Sequence, residues 1–447
     1  MIRGRELEKY NFRTLNYLGS KYRLLDFVWE NIRAVNPTDG AICDLFAGSG
    51  CVSYRLSKDF DVVSCDIQKY SAIITDALIR KRSVSEKELT AFATYLDNIS
   101  QEGGIVKSIY TPLISLEEEA IKTADIDLLA AIVEHGSIES FSTDRKESVL
   151  QDTLDKVLAE LTASGLPVET AVISRYFGGV FFSYRQAVEI DLIRAGIEKY
   201  IREENRNLFL APLLSTASDL AYTVGKHFAQ PLKTRDANGK VKGGVLKKAI
   251  RDKTIDTASF YKKWLDHYLR LPKSSHLHKA VNCDYMECLT TLSDRVKTIY
   301  ADPPYTRDHY SRFYHVLETL AVGDVPGLSK VKLRGKEQVS NGLYRVERHQ
   351  SPFCVKSKAP EAFIKMFQAV GAGGRNIILS YSPYDESKKT HPRVVSMSVL
   401  MDLAKEYFQD VTEISAGYFT HNKLNSSDHL LEASDEAEVL IICKNPI

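Results

Sequence analysis

Along the first part of the chain, apolar and polar positions alternate in the manner of an α/β unit. Leu24 to Val35 carries a helical repeat of apolar residues and is stopped by Asn36-Pro37. Ala41 to Phe46 is a short apolar run of the buried-strand type, followed by the glycine-rich turn Ala47-Gly48-Ser49-Gly50. Cys51 to Ser57 can open the next helix. Asp61 to Cys65 predicts a second buried strand, ending at Asp66. The order is strand, glycine turn, helix, strand, acidic residue.

From residue 71 to about residue 275 the pattern is mostly helical. Its clearest stretch sets Ile190, Ile193, Ile197, Tyr200 and Ile201 on one helix face. Within this block Thr234 to Gly244 is glycine-rich and basic and reads as a flexible loop. The α/β pattern resumes at Lys279. Ala280 to Asp284 and Lys297 to Ala301 predict short strands, the second feeding into Asp302-Pro303-Pro304-Tyr305. Asn376 to Ser382 and Glu438 to Cys443 predict further strands flanking a helix around Ser396 to Phe408, while Ser329 to Lys358 is irregular and basic. The expected domains are therefore 1–80 and 276–447, together forming one α/β domain with a basic loop at 329–358, and a helical insertion over 81–275.

Composition narrows this picture only a little. An apolar fraction of 44% over 447 residues suits two domains with real cores. No run approaches the roughly 18 uninterrupted apolar residues of a membrane span. Val168 to Tyr184 comes nearest, and Glu169, Arg175 and two glycines break it. Met1 to Glu6 carries charge with no apolar segment behind it, unlike a signal peptide. Seven cysteines with no C-x-x-C pair argue against a disulfide framework or a zinc ribbon, so no metal site is expected. A reducing, cytoplasmic setting follows as the expectation.

The net charge of +1 hides an uneven distribution. Residues 81–170 hold 8 Lys+Arg against 17 Asp+Glu, whereas residues 226–274 hold 13 against 4. One reading is a surface built for a polyanion, and the other is a pair of solvated helical faces.

The chemistry concentrates in three places. Asp44-Leu45-Phe46-Ala47-Gly48-Ser49-Gly50 ends a strand in a turn whose glycines let a ligand approach backbone that a Cβ would shield. It lacks the G-x-G-x-x-G spacing of a dinucleotide fingerprint. Asp66, at the end of the next strand, can accept both hydroxyls of a ribose, or it can simply cap a helix. After the strand 297–301, the prolines of Asp302-Pro303-Pro304-Tyr305 exclude helix and leave a stiff loop. A rigid carbonyl beside a carboxylate offers two acceptors to one amine, and Tyr305 offers a flat face to a base.

Asn16-Tyr17-Leu18-Gly19-Ser20-Lys21-Tyr22, the glycine turn and Asp302-Pro-Pro-Tyr305, in that order, resemble the DNA adenine methylase family, and more narrowly its α-group, the D12 class. The resemblance covers about 1–80 and 280–447. It implies a Rossmann-like class I S-adenosylmethionine-dependent methyltransferase sheet with a large, mostly helical inserted target-recognition domain. It also implies methyl transfer to adenine N6 in duplex DNA after base flipping, in restriction-modification or related defence, with a cognate restriction endonuclease as a candidate partner.

Carried over residue by residue, the resemblance puts Tyr17 and Lys21 on the cofactor, Lys21 through the cofactor carboxylate. Asp44, Phe46, Gly48 and Gly50 form the cofactor turn, Asp66 takes the ribose, and Asp284 with Tyr285 lies near the cofactor adenine. Asp302 and the Pro303 carbonyl would hold the N6 amine while Tyr305 stacks on the base. On the residues alone, Tyr17 could equally be a core aromatic and Lys21 a solvated charge.

The chain departs from the family in its recognition region of roughly two hundred residues, longer than usual. Thr306 to Tyr314 mixes aromatic and basic residues, which suits either a loop over an extruded nucleotide or an ordinary helix start. Rival functions are cytosine-N4 methylation, which the family associates with Ser in place of Asp302, and an inactive DNA-binding subunit.

Overall fold

The computed structural model describes residues 13–99, 104–307, 309–333, 335–382, 393–420 and 435–447. The N-terminal residues read above for a signal peptide lie outside this set, as does Asp308 of the 306–314 segment. The chain divides into two compact units. One comprises 1–81, 271–311 and 349–447, and the other comprises 82–270 and 312–348. Residues 312–348, expected with the α/β segments, thus group with the helical residues.

Seven strands form the sheet of the first unit: β1 (Ala41–Asp44), β2 (Val62–Asp66), β3 (His278–Asn282), β4 (Val296–Ala301), β5 (Asn376–Tyr381), β6 (Phe408–Thr420) and β7 (Asp435–Pro446). Their order is β3-β2-β1-β4-β5-β7-β6. The first five run parallel, and β7 pairs antiparallel with both β5 and β6. The unit is mixed α/β with a mostly parallel sheet.

The apolar runs are continuous rather than alternating because both faces of the central strands are covered. Ile42, Tyr300, Ile378 and Leu440 pack on one face with α1 (Leu25–Val35) and α2 (Cys51–Leu56). Following β2, α3 (Lys69–Ile79) is buried along nearly its whole length. Cys43, Ile299, Ile377 and Ile441 pack on the other face, against residues of α4 (Tyr285–Thr291), α5 (Ala359–Ala372) and α6 (Met397–Lys405).

Strand β6 is an element the apolar pattern does not announce. Only Phe408 among its described side chains is buried, because β6 is an edge strand held by backbone pairing to β7.

The second unit is mostly helical and includes Tyr184–Tyr200, with Ile190, Ile193 and Ile197 fully buried. The segment read as a flexible loop, 234–244, is instead a hydrogen-bonded turn. Arg235 and Val241 form an antiparallel bridge, and Asp236 Oδ1 accepts the Asn238 amide at 2.8 Å and the Lys240 amide at 3.0 Å. Asp and Gly there satisfy turn chemistry locally, which low apolarity alone does not distinguish from looseness. The segment 329–358 also holds structure, an antiparallel hairpin of Lys330–Leu333 and Lys336–Val339. Among the described residues no helix is long and apolar enough to cross a membrane.

Candidate active site

The parallel strands β2, β1 and β4 end side by side, so the glycine turn, Asp66 and Asp302 emerge at one edge of the sheet. The Leu45 amide donates to the Tyr300 carbonyl at 2.9 Å and the Ala47 amide to the Cys65 carbonyl at 3.1 Å, which ties the turn to both neighbouring strands. From β1 the chain proceeds to β2 on one side, and from β4 to β5 on the other. The crevice at such a reversal of strand order is where open α/β sheets bind ligands.

Gly48 and Gly50 both have positive φ, +53° and +74°. At Gly48 a Cβ would come within 2.8 Å of the Tyr17 hydroxyl oxygen, so the Tyr17 ring closes directly on the turn. The Gly48 amide donates to Asp66 Oδ2 at 2.8 Å, and the Gln68 amide donates to Oδ1 at 2.8 Å. These bonds aim the Asp66 carboxylate but leave lone pairs on each oxygen for further donors. Burial raises the Asp66 pKa in spite of them.

Asp44 is buried at the end of β1. Ser53 Oγ donates to its Oδ2 at 2.5 Å, whereas Oδ1 is buried without a hydrogen-bond partner. Burial pushes its carboxyl up to about 7. A buried acceptor left open beside a glycine turn is the feature a cofactor ammonium or hydroxyl would satisfy.

Asp302 lies within 2.9 Å of the Lys21 ammonium through Oδ2, and the same ammonium is 3.2 Å from Glu438 Oε1. Lys21 is therefore held by two carboxylates of the chain, although the family resemblance assigns it to the cofactor. Burial works to lower the Lys21 pKa, but Asp302 and Glu438 together raise it well above the ordinary lysine value. Burial pushes Asp302 the other way, up to about 6, with Lys21 opposing and Glu438 reinforcing.

Tyr305 is half-buried. Its ring centroid is 5.0 Å from that of Tyr381, the Arg393 guanidinium lies 5.1 Å from it, and its carbonyl accepts the Val394 amide at 3.2 Å. Pro303 is buried beside it.

The other expected residues gather close by. Phe46 packs on Tyr285 at 5.8 Å and edge-on to Phe353 at 5.4 Å. Asp284 caps α4, its Oδ1 accepting the Met286 amide at 2.9 Å, so part of its acceptor capacity is structural.

Sequence reasoning misses several members. Glu438 stands at the head of an apolar run, and its signal is that a carboxylate inside a buried run is rarely tolerated without a partner. Tyr310 donates to the Leu18 carbonyl at 3.3 Å and packs on Tyr17 at 5.7 Å. The His349 imidazole sits in the field of both Asp66 and Asp284, burial holding its pKa below the ordinary value. Nothing in the local sequence marks it.

All seven cysteines are free thiols. The fold gathers several that chain spacing kept apart. Cys43 and Cys288 sulfurs are 3.9 Å apart, those of Cys65 and Cys283 are 3.7 Å apart, and Cys65, Cys283 and Cys288 lie within 4.8 Å of one another. Such a group could hold a soft cation. It also fills the core between the sheet and α4, where Cys43, Cys65 and Cys288 are buried.

Residues 17–103 match the family of D12 class N6 adenine-specific DNA methyltransferases. Across 82% of its length the chain is 26% identical to the Type II methyltransferase M.FokI of Planomicrobium okeanokoites, covering 44% of that protein. Across 96% it is 23% identical to the modification methylase LlaI of Lactococcus lactis subsp. lactis, covering 55% of it. Across 82% it is 25% identical to the Type II methyltransferase M.CviAII of Paramecium bursaria Chlorella virus 1, and there 83% of the relative is covered. The chain thus spans about half the length of the first two relatives. The glycine turn and Asp302 meet at adjoining strand ends, with Lys21 on Asp302, in a chain whose residues 17–103 resemble the D12 class N6 adenine-specific DNA methyltransferases and which over most of its length is similar to Type II modification methyltransferases.

Proposed function

We propose that this chain transfers a methyl group from S-adenosylmethionine to the N6 amine of adenine in duplex DNA, as a modification enzyme. The observation that carries the reading is Asp302, held by Lys21 at the end of β4 beside the glycine turn that ends β1. On this reading the first unit is a Rossmann-like class I methyltransferase domain, and the second is an inserted target-recognition domain fed by 82–270 and 312–348. A cytoplasmic setting and a companion restriction endonuclease belong to the same proposal.

The turn residues fit the cofactor. Asp66 keeps free lone pairs for ribose hydroxyls, Asp44 Oδ1 awaits a donor, and Gly48 leaves the space under Tyr17 that a Cβ would fill. Phe46 and Tyr285 supply apolar faces for its adenine. When bound, the cofactor supplies an electrophilic methyl on a sulfonium.

The chain's own residues do the rest. Asp302 accepts an N–H of the flipped base and orients the nitrogen lone pair toward the methyl carbon. As the N–C bond forms, N6 gains positive charge and becomes acidic, so Asp302 stabilises the cation and need not be a strong base. The stiff prolines keep the Pro303 carbonyl available as the second acceptor. Tyr305, braced by Tyr381 and Arg393, presents a stacking face worth roughly 1–3 kcal/mol. Methyl transfer of this kind needs no covalent enzyme intermediate.

Asp302→Ala is expected to abolish turnover while leaving cofactor and DNA binding largely intact. Labelled methyl incorporation into mixed-sequence DNA, followed by nucleoside separation, tests this. Methylation retained in the variant would overturn the reading, and label on cytosine would move it to the N4 reaction.

A further inference from the structure

We propose that Glu438 is a positioning residue of the transfer reaction: anchored by Ser380, it shares the Lys21 ammonium so that Asp302 presents to the adenine amine a fixed oxygen whose charge Lys21 does not fully neutralise. The inference rests on the methyl-transfer reading above and deepens it.

Glu438 and Ser380 come from β7 and β5, which pair antiparallel with Ser380 opposite Leu440. Glu438 is thus the diagonal neighbour of Ser380 on the same sheet face, within reach of its side chain. Ser380 Oγ donates to Glu438 Oε1 at 2.7 Å, and that same oxygen meets Lys21 at 3.2 Å. Glu438 is 1% exposed and Lys21 is 5% exposed, so neither group is screened by water. A buried carboxylate of this kind is costly unless its partners repay the desolvation, and here the partner is one step from the reacting atoms.

The charge count gives the arrangement its sense. One ammonium faces two carboxylates, leaving a net negative charge where N6 turns cationic during transfer. Were Lys21 paired with Asp302 alone, the ammonium would cancel the charge the amine needs. The groups around Asp302 are Lys21 from the segment before α1, Glu438 from β7, Tyr300 from β4, Tyr305 and Tyr310 from the following loop, and Asp44 from β1. Among the described residues, Glu438 is the only second carboxylate of this group that touches Lys21.

The test uses the full chain with Glu438→Gln, Glu438→Asp and Ser380→Ala. Steady-state methyl transfer is measured from about pH 5 to pH 9, with cofactor binding and thermal unfolding measured alongside. Glu438→Gln should lower kcat by about 10- to 100-fold while KM for DNA stays within about twofold. Removing a neighbouring negative charge makes Asp302 easier to ionise, so the acid limb of the kcat profile should shift to lower pH. Glu438→Asp should recover part of the loss, and Ser380→Ala should move kcat in the same direction by less. Unchanged kcat and an unmoved acid limb in Glu438→Gln would overturn the proposal. Should that variant not fold, unchanged kcat and profile in a folded Ser380→Ala would overturn it. A wild-type chain that methylates no adenine sinks the functional reading itself. One that does so while the variants match it sinks only the role of Glu438.

Discussion

At Gly48 the demands on a single residue are unusually explicit. Its φ of +53° lies in the left-handed region, its amide is committed to Asp66, and a Cβ would meet the Tyr17 hydroxyl at 2.8 Å. An alanine there carries backbone strain of about 1–3 kcal/mol and also displaces the Tyr17 ring. Gly48→Ala is therefore expected to remain folded but to weaken cofactor binding by about tenfold or more, as read by calorimetric titration. Unchanged affinity would show that the turn does not bear on the cofactor. Asp302 and Lys21 show a different kind of demand. Their motif positions are legible in sequence, but their mutual pairing, and the part Glu438 takes in it, depends on a strand that joins the sheet more than a hundred residues later.

Among the elements, the central strands are readable because burial on both faces leaves an unbroken apolar signature. The edge strand β6 is not, since it is polar along much of its length and paired on one side only. In the second unit a buried ion pair does comparable work between helices. Lys253 Nζ is 2.6 Å from Glu117 Oε1 and donates to the Gly179 carbonyl at 2.7 Å, while Glu117 also accepts the Tyr184 amide at 2.8 Å. The two side chains are 1% and 2% exposed. Glu117→Ala would strand a buried ammonium and an amide. It should cost about 3–5 kcal/mol in urea unfolding, whereas a loss under about 1 kcal/mol would show that the pair is dispensable.

For the molecule as a whole, the charge asymmetry of the sequence turns out to be partly internal. The acidic 81–170 stretch supplies Glu117, Glu134 and Asp97, and the basic 226–274 stretch answers with Lys253, Arg235 and Lys262. Lys226, Lys248 and Arg251 converge on buried Asp252. Half a dozen basic side chains are thereby occupied within the second unit, while Lys233, Lys240 and Lys247 remain exposed. If the unit binds duplex DNA, replacing these three lysines with alanine should weaken binding evenly across sequences. The slope of log K against log salt should fall by about 0.9 for every phosphate that is no longer neutralised. A slope identical to that of the unaltered chain would remove this surface from the DNA interface.

What could be read from the chain alone was whatever depends on neighbours in sequence. The two α/β segments, the helical block, the glycine turn and the stiff loop made by a carboxylate before two prolines and a tyrosine all follow from local pattern and short spacing. The folded arrangement decided the rest. It gave Lys21 two carboxylates instead of one, gathered four cysteines with no common motif, turned 234–244 into a hydrogen-bonded turn, and assigned 312–348 to the helical unit. The reason is physical. Burial, ion pairing and cross-strand register join residues hundreds of positions apart, and their energies depend on distance in space, of which the order of the residues is only a faint record.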